Sequence, residues 1–580
     1  MDAATRCRHA LAPPGRGLTN QGFARLSMTI VFTTLILLLT VAISGVLIGL
    51  LPFRLPRPLV QIALGAALAV PSFGLHVRLD PELFFLLFIP PLLFADAWRM
   101  PRREFRRLLG PITALALGLV MVTVICVGFF VHWLIPQVPL AAGFALGAVL
   151  SPTDAVAVSA ITGNARIPPR LLHILQGEAL MNDASGLVAL RFGVAATLTG
   201  AFSLPKAALS FVIIAAGGLA VGWALAWLFA QVRYFLTQWR GDDPSSHVAL
   251  LLLLPFGAYL MGEHLGVSGI LSAVAAGMTL NSIDTLKGEL ATRMQNRGMW
   301  AMLEFIFNGV IFVLLGQQIP VILAHAGDAK DSIGVDWWHL ASYPLAVLVL
   351  LMVSRYLWVW VMLKLVVMRA RRRGEAVTRV SSRIIATTTL AGVRGAITLA
   401  AVLSLPLTES DGTPFPGRSV FVFIAVSVIL SSLIIATIAL PPLLRRIQLP
   451  EDDPRATEER DARAASARAA IQALDRMREE YKAESDDADE ASLYAEVAAR
   501  VMAAYQPWLD PDSDAEDKQR ARRGFGMERT LRLAALNAER DELYRLRGQA
   551  EINDVTMRRI MADIDLTEAS LRSGRRSGKR

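Results

Sequence analysis

Residues 141–161 read AAGFALGAVLSPTDAVAVSAI, and residues 171–190 read LLHILQGEALMNDASGLVAL. Each is an apolar run of about the ~20 residues that cross a bilayer core. Each also carries carboxylates where hydrocarbon would surround it: Asp154 in the first, Glu178 and Asp183 in the second. An acid at a helix centre costs about 2.5–3.5 kcal/mol on insertion scales, so it faces a protein interior or water and marks a functional site. Ser151-Pro152-Thr153 interrupts the first run, because proline has no N–H to donate and clashes with the turn before it. Irregular backbone at that depth persists only where it is buried in protein or lines a cavity. A third stretch, TTTLAGVRGAITLAAVLSL at 387–405, has Arg394 as its only charge, set between Gly392 and Gly395. Two interrupted helices in well-separated positions point to an ion site reached alternately from either side.

The rest of the chain agrees with a membrane reading. Of 580 residues, 54% are hydrophobic and 18% charged, against roughly 25% charged in an average soluble chain. The first 450 residues hold 34 Lys/Arg and 20 Asp/Glu, the remainder 24 and 29, so an apolar basic block precedes a charge-rich, mildly acidic tail. Two cysteines and eight scattered histidines supply neither a disulfide framework nor a metal cluster. No nucleophile–base pair is visible, so an enzyme is not expected, nor is a cofactor or nucleic acid as partner. The arginine clusters lie between apolar runs, where they set orientation.

Thirteen apolar windows emerge, near 29–51, 56–71, 81–97, 110–135, 139–163, 171–199, 206–231, 246–263, 266–281, 297–322, 339–368, 382–407 and 419–444. The loops after odd-numbered windows carry twenty Lys/Arg and those after even-numbered ones four. That alternation is what the positive-inside rule asks of a correct parse. It places the odd loops and the tail in the cytoplasm and the start of the first helix outside. Residues 1–27, with Arg6, Arg8, Arg16 and Arg25, then lie on the wrong side for their charge. They lack the apolar core of a signal peptide, and Met28 is read as the true start. The division expected is an N-terminal extension at 1–27, a membrane domain at 28–448 and a helical cytoplasmic tail at 449–580. The tail shows helical spacing in Ala467, Ile471, Leu474 and Met477. Two further helical stretches run at about 518–551 and 552–571, with acidic connections near Asp486–Glu490 and 507–517.

Asp154 and Asp183, with a hydroxyl and the carbonyls freed by the helix break, form a hard-oxygen site suited to an alkali cation, and Asn182 beside Asp183 can offer an amide oxygen or a donor. Two carboxylates in one dry site titrate as a coupled pair, so a proton and a cation compete there, and that competition is itself an exchange mechanism. Asp154 has a second reading, as a cap for the N–H groups freed by the helix break. Arg394 needs a partner, and Glu178 is the expected one, as a supporting ion pair. Asp96 and Ser151 are candidates for the ion path, with a solvated cap the other reading of Asp96. Glu304, Arg355 and Arg191 are expected to be packing or interface charges.

At these residues the chain resembles monovalent cation:proton antiporters of the NhaP and eukaryotic sodium–proton exchanger type. The resemblance spans about residues 29–446 and rests on five motifs in the family's order. They are FFLLFIPPLLFADAW (84–98), SPTDAVAVSAI (151–161), LLHILQGEALMNDASGLVAL (171–190), HLGVSGILSAVAAG (264–277) and GVRGAITLA (392–400). It implies an all-α polytopic fold of thirteen helices with an inverted repeat and broken crossover helices, assembled as a homodimer in the cytoplasmic membrane. It also implies electroneutral exchange of Na⁺, with Li⁺ or K⁺ as alternatives, for H⁺. Carried over, Asp183 is the central cation- and proton-binding carboxylate, Asn182 orients it, Thr153 and Asp154 complete the site, and Glu178 with Arg394 is the buried ion pair. Three positions depart from the family pattern. The proline precedes the crossover acid, as Pro152; Ala179 stands where serine is frequent; and Ala95 stands where an acid is usual, with Asp96 one place later. These leave cation selectivity open. The alternative from another class is a gated cation channel with the tail as its regulator.

Overall fold

Where the sequence interrupts its apolar runs, the chain breaks its helices. The computed structural model describes residues 20–50, 55–70, 80–162, 167–200, 204–240, 243–284, 290–324, 326–372, 381–408, 412–447, 454–484, 488–503, 505, 515–549, 551 and 554–573. Most of the 1–27 extension therefore lies outside the described residues. The chain divides into two units, Met1–Gln448 and Leu449–Arg580.

Among the described residues of the first unit the regular structure is helical, one isolated bridge between Thr408 and Pro414 aside. Its helices are α1 (Asn20–Leu50), α2 (Arg57–Leu68), α3 (Pro81–Leu87), α4 (Ile89–Arg99), α5 (Arg102–Thr113), α6 (Val120–Leu134), α7 (Leu140–Val149), α8 (Ala155–Thr162) and α9 (Pro169–Thr199). They continue as α10 (Leu204–Arg240), α11 (Pro244–His264), α12 (Gly269–Asp284), α13 (Leu290–Ala324), α14 (Ala326–Ile333), α15 (Trp337–Arg372), α16 (Ser382–Leu390), α17 (Ala396–Leu403) and α18 (Arg418–Arg445). Each of the thirteen apolar windows contains one of these helices or a pair of them. Among the described residues, eight spans are long and apolar enough to cross a bilayer outright. The remaining windows hold short helices (α2, α12), half-helix pairs (α7 with α8, α16 with α17), or α9, which has the length but carries Arg170, Glu178, Asp183 and Arg191.

Without water to drive helices together, membrane helices pack through small residues that let backbones approach. Gly143 and Gly147 of α7 do this against α6: a Cβ on either would come within 2.8 Å of the carbonyl oxygen of Gly128 or Val124. Between α5 and α6 the helix widens into a π turn at Ala114–Leu119. Its freed carbonyls are taken up by neighbours, Ala114 by the Trp358 indole at 3.0 Å and Ala116 by the Ser185 hydroxyl at 2.6 Å. The turn thus fixes α15 and α9 against the same point. Large apolar side chains such as Phe32, Leu35, Trp223 and Phe235 remain exposed on the outer faces, as lipid contact demands.

The second unit contains α19 (Pro454–Glu484), α20 (Ala488–Ala503), α21 (Ala515–Gly548) and α22 (Asp554–Ser573). Of the acidic stretch expected as a connection at 486–490, residues 486–487 lie outside the described residues and the rest opens α20, with Asp489 and Glu490 in its first turn, where they complement the positive end of the helix dipole. Tyr481 of α19 stacks on Tyr494 of α20. Arg540 of α21 donates to Asp565 and Glu568 of α22 over a small core of Leu536, Leu543 and Ile564.

Candidate functional site

The two broken helices cross at their breaks. After α7 the chain runs extended from Ser151 to Asp154, and after α16 from Gly392 to Gly395. The two segments are joined where the Asp154 N–H donates to the Val393 carbonyl at 2.8 Å. Four half-helix ends converge there, two N-terminal and two C-terminal, each with unpaired backbone groups and about half a unit of charge.

Asp154 answers the N-terminal ends. Its Oδ1 accepts from the Val156 and Ala157 N–H groups, both at 2.9 Å, capping α8. Its Oδ2 lies against Gly395, the N-cap of α17, where a Cβ would fall 2.1 Å away. The cap reading of Asp154 is therefore realised in its geometry, and one of its oxygens is committed. Arg394 answers the C-terminal ends: its Nε donates to the Leu150 carbonyl at 3.0 Å, at the end of α7, and its Nη1 to the Gly392 carbonyl, just past α16. Its own N–H donates to Ser432 of α18 at 3.2 Å.

Arg394 is thus not the partner of Glu178, contrary to the expectation. That partner is Arg355 of α15, whose two terminal nitrogens grip both carboxylate oxygens, Nη2 to Oε2 at 2.8 Å, with both side chains almost fully buried. Arg355 Nε donates to Thr388 O at 2.9 Å, in the last turn of α16. Arg355 passes directly over Gly392, where a Cβ would fall 2.7 Å from its Cδ. The two glycines flanking Arg394 therefore each admit a functional side chain, Arg355 at 392 and Asp154 at 395. Thr153 links the pair to α9: it donates to Glu178 at 3.3 Å and accepts from the Asn182 amide at 2.8 Å.

Beside the crossing lies a cavity of about 310 Å³, bounded by α4, α9, α13 and the two extended segments. Thr153, Asp154, Asp183 and Asp96 all line it, so it gathers most of the residues expected of the site. Asn182 sits behind the wall, orienting Thr153. Ser151 is corrected: its hydroxyl turns back to the Ala148 carbonyl at 2.8 Å and does not reach the cavity. Asp96 does reach it and is exposed into it, while Ala95 is wholly buried in a cluster with Phe94 and Trp300. Asp183 is 3% exposed, and its Oδ1, like Asn182 Oδ1, has no partner among the described residues. At the rim, Arg99 pairs with Glu304. Glu304, Asn308, Thr398, Ser159 and Gln176 add to the polar lining and were not singled out from sequence as part of the site. Arg355, expected to be a packing or interface charge, is instead the partner of Glu178; its signal was that, like Arg394, it is a cation deep within an apolar span.

The family described as sodium/hydrogen exchanger, transmembrane, matches residues 28–446. An Escherichia coli protein described as an uncharacterized Na⁺/H⁺ exchanger, YjcE, is 46% identical over 547 residues, covering 94% of this chain and 99% of that protein. A Bacillus pumilus protein described as a sodium, potassium, lithium and rubidium/H⁺ antiporter is 45% identical over 421 residues, 72% of this chain and 61% of that one. The solved sodium proton antiporter MjNhaP1 of Methanocaldococcus jannaschii superimposes with a TM-score of 0.54 at 18% identity, over 73% of this chain and 99% of that structure. This last likeness speaks for the fold.

Proposed function

Because the chain belongs to the transmembrane sodium/hydrogen exchanger family, we propose that it exchanges monovalent cations for protons at Asp183. One observation carries the assignment to this residue. Of the charges buried at the crossing, those other than Asp183 have their compensation: Glu178 has Arg355, Asp154 has the first N–H groups of α8, and Arg394 has two helix C-termini, while Asp96 is exposed into the cavity. Asp183 lines the cavity buried, with Oδ1 unpartnered. A carboxylate so placed is neutralised either by a proton or by a cation that sheds water for oxygen ligands, and the two exclude one another. Asp154 and Asp96, which line the same cavity, are the candidates for a second anionic oxygen donor, with the Thr153 hydroxyl completing the set. The Asn182-Asp183 pair, where an Asp-Asp pair would accompany electrogenic exchange in the family, supports electroneutral exchange of one cation for one proton.

The remaining features follow the family. The thirteen windows are thirteen crossings with an inverted repeat, the domain at 28–448 forms a homodimer in the cytoplasmic membrane, and the 449–580 tail is cytoplasmic. Arg99 and Glu304 then lie at a cytoplasmic mouth. Na⁺ is the expected substrate, with K⁺ and Li⁺ accepted as the Bacillus pumilus relative's description suggests. No cofactor is needed and no covalent step occurs, so the protein works as a transporter rather than an enzyme; family membership favours exchange over a gated channel. The test is proton flux in acidified everted vesicles on addition of NaCl, LiCl or KCl. Wild type should alkalinise the lumen and Asp183→Asn should not; equal flux from the variant would remove Asp183 from the mechanism.

A further inference from the structure

A second groove, of about 390 Å³, lies apart from the crossing, between α5 and the helices α10 and α12. Its charged wall is made by α5, whose sequence RREFRRLLG is amphipathic at helical spacing. Phe105 and Leu108 are buried with Met100 and Ile112, packed by Ile174 and Met181 of α9, so the helix is anchored by its apolar face. Arg102 and Arg106, one turn apart, are thereby turned outward and line the groove. Neither has a carboxylate partner among the described residues. The facing wall presents the Thr279 and Ser282 hydroxyls of α12 and the indole of Trp223, which is 58% exposed.

Orientation by the positive-inside rule needs only that basic residues lie in the loop. It does not need two unpaired guanidinium groups aligned over an apolar-walled recess beside an exposed tryptophan. We propose that this groove binds the headgroup phosphate of an anionic glycerophospholipid. Guanidinium forks match phosphate oxygens in two-pronged fashion. Tryptophan belongs at the depth where headgroup meets acyl chain, and basic pockets between membrane helices favour anionic headgroups. A free phosphate ion would use the two arginines but gain nothing from Trp223 or the apolar wall, which favours the lipid. The bound headgroup joins α5, seated on the helix that carries Asp183, to α10 and α12.

Purified full-length protein in detergent tests this without reference to transport. It is titrated with phosphatidylglycerol, phosphatidylcholine or inorganic phosphate, reading the melting temperature and, by native mass spectrometry, retained lipid. Phosphatidylglycerol should stabilise the protein and remain bound, and the other two should not. Arg102→Gln/Arg106→Gln should weaken that retention at least about tenfold, the effect of losing one charge-assisted hydrogen bond, while Arg107→Gln, outside the groove, should leave it unchanged. Arg106→Lys, which keeps the charge and loses the fork, should fall between, and covers the case in which the double variant melts early even in phosphatidylcholine. Equal stabilisation by inorganic phosphate would make this a free-anion site, and equal retention of phosphatidylcholine would remove headgroup recognition. Undiminished phosphatidylglycerol binding by the folded arginine variants would place the lipid elsewhere; each of these overturns the proposal.

Discussion

The two extended segments that cross in the membrane unit solve the same problem with opposite charges. At 151–154 the chain supplies Asp154, which lies over two helix N-termini; at 392–395 it supplies Arg394, whose donors reach two helix C-termini. One sign of charge would have left half the converging dipoles unanswered. Because acid and base divide the work, the crossing is electrically complete in itself, and so is the Glu178–Arg355 pair behind it. The carboxylates left over are Asp183, buried, and Asp96, exposed into the same cavity, and at these two neutrality depends on what the cavity contains. The comparison sets the charges that hold the broken helices apart from Asp183, the one we propose carries the exchangeable charge, and variants can separate the two.

The largest effect is expected where neutrality is borrowed. Asp183→Asn should reduce cation-evoked proton flux to background while leaving a folded protein with the wild-type melting profile, because it removes charge without breaking a hydrogen bond to Oδ1. A large loss of thermal stability would mean that Asp183 is structural after all. Next comes the supporting pair. Arg355→Met leaves Glu178 charged and buried, a situation that costs about 3–5 kcal/mol. It should appear as poor insertion or an early melt, and Glu178→Gln/Arg355→Met should recover much of it. Were the single variant as stable as wild type, Glu178 would have another partner, and Arg394 would be the first to examine.

Arg394→Met should be milder, about 2–3 kcal/mol by thermal melt, since it strips a charged donor from two carbonyls rather than stranding a carboxylate. If Arg394→Met proved worse than Arg355→Met, the ranking of the two arginines, and with it the division of labour at the crossing, would be reversed.

That these arginines exchange the roles expected of them shows what the sequence can and cannot yield. The apolar windows, the break at Pro152 and the break at Gly392–Gly395 are local features, and α7, α8, α16 and α17 begin and end where those residues dictate. Asp183 and Asp154 were legible as a site because an acid in an apolar run is anomalous wherever it occurs. The partner of Glu178 was not legible, because Arg355 is 177 positions away and Arg394 is likewise a cation deep within its own span. Nothing in either local pattern says which one reaches. The place of Asp96 was hidden for a different reason. One residue turns a side chain by about 100° around a helix, and the phase of α4 is set by its start after Phe88 and by Pro90-Pro91. That phase buries Ala95 beside Trp300 and turns Asp96 into the cavity.

The contact between the two segments offers a sharper test than either alone. Gly395→Ala would drive a Cβ to 2.1 Å from Asp154 Oδ2, and overpacking of this kind costs about 1–3 kcal/mol. The loss should be much smaller in an Asp154→Gly background, where both the carboxylate and the Asp154 Cβ, itself 2.6 Å from the added methyl, are gone. An equal loss in both backgrounds would mean that the glycine serves the backbone of α17 rather than its neighbour across the crossing.

The smallest change in stability, and the one that decides what Asp154 is for, belongs to Asp154→Asn. Asparagine caps a helix N-terminus about as well as aspartate, so its amide oxygen can keep both N–H groups of α8, and the melt should move by under about 0.5 kcal/mol. The charge, however, is gone from the cavity wall. If Asp154 contributes only background potential to a cation held by Asp183, the variant should need more cation for half-maximal exchange and still approach the wild-type maximal rate. Exchange abolished in a protein of unchanged stability would instead make Oδ2 a direct ligand. The crossing would then lend one oxygen to the helix and the other to the ion, and the separation of purposes would fail at this one residue.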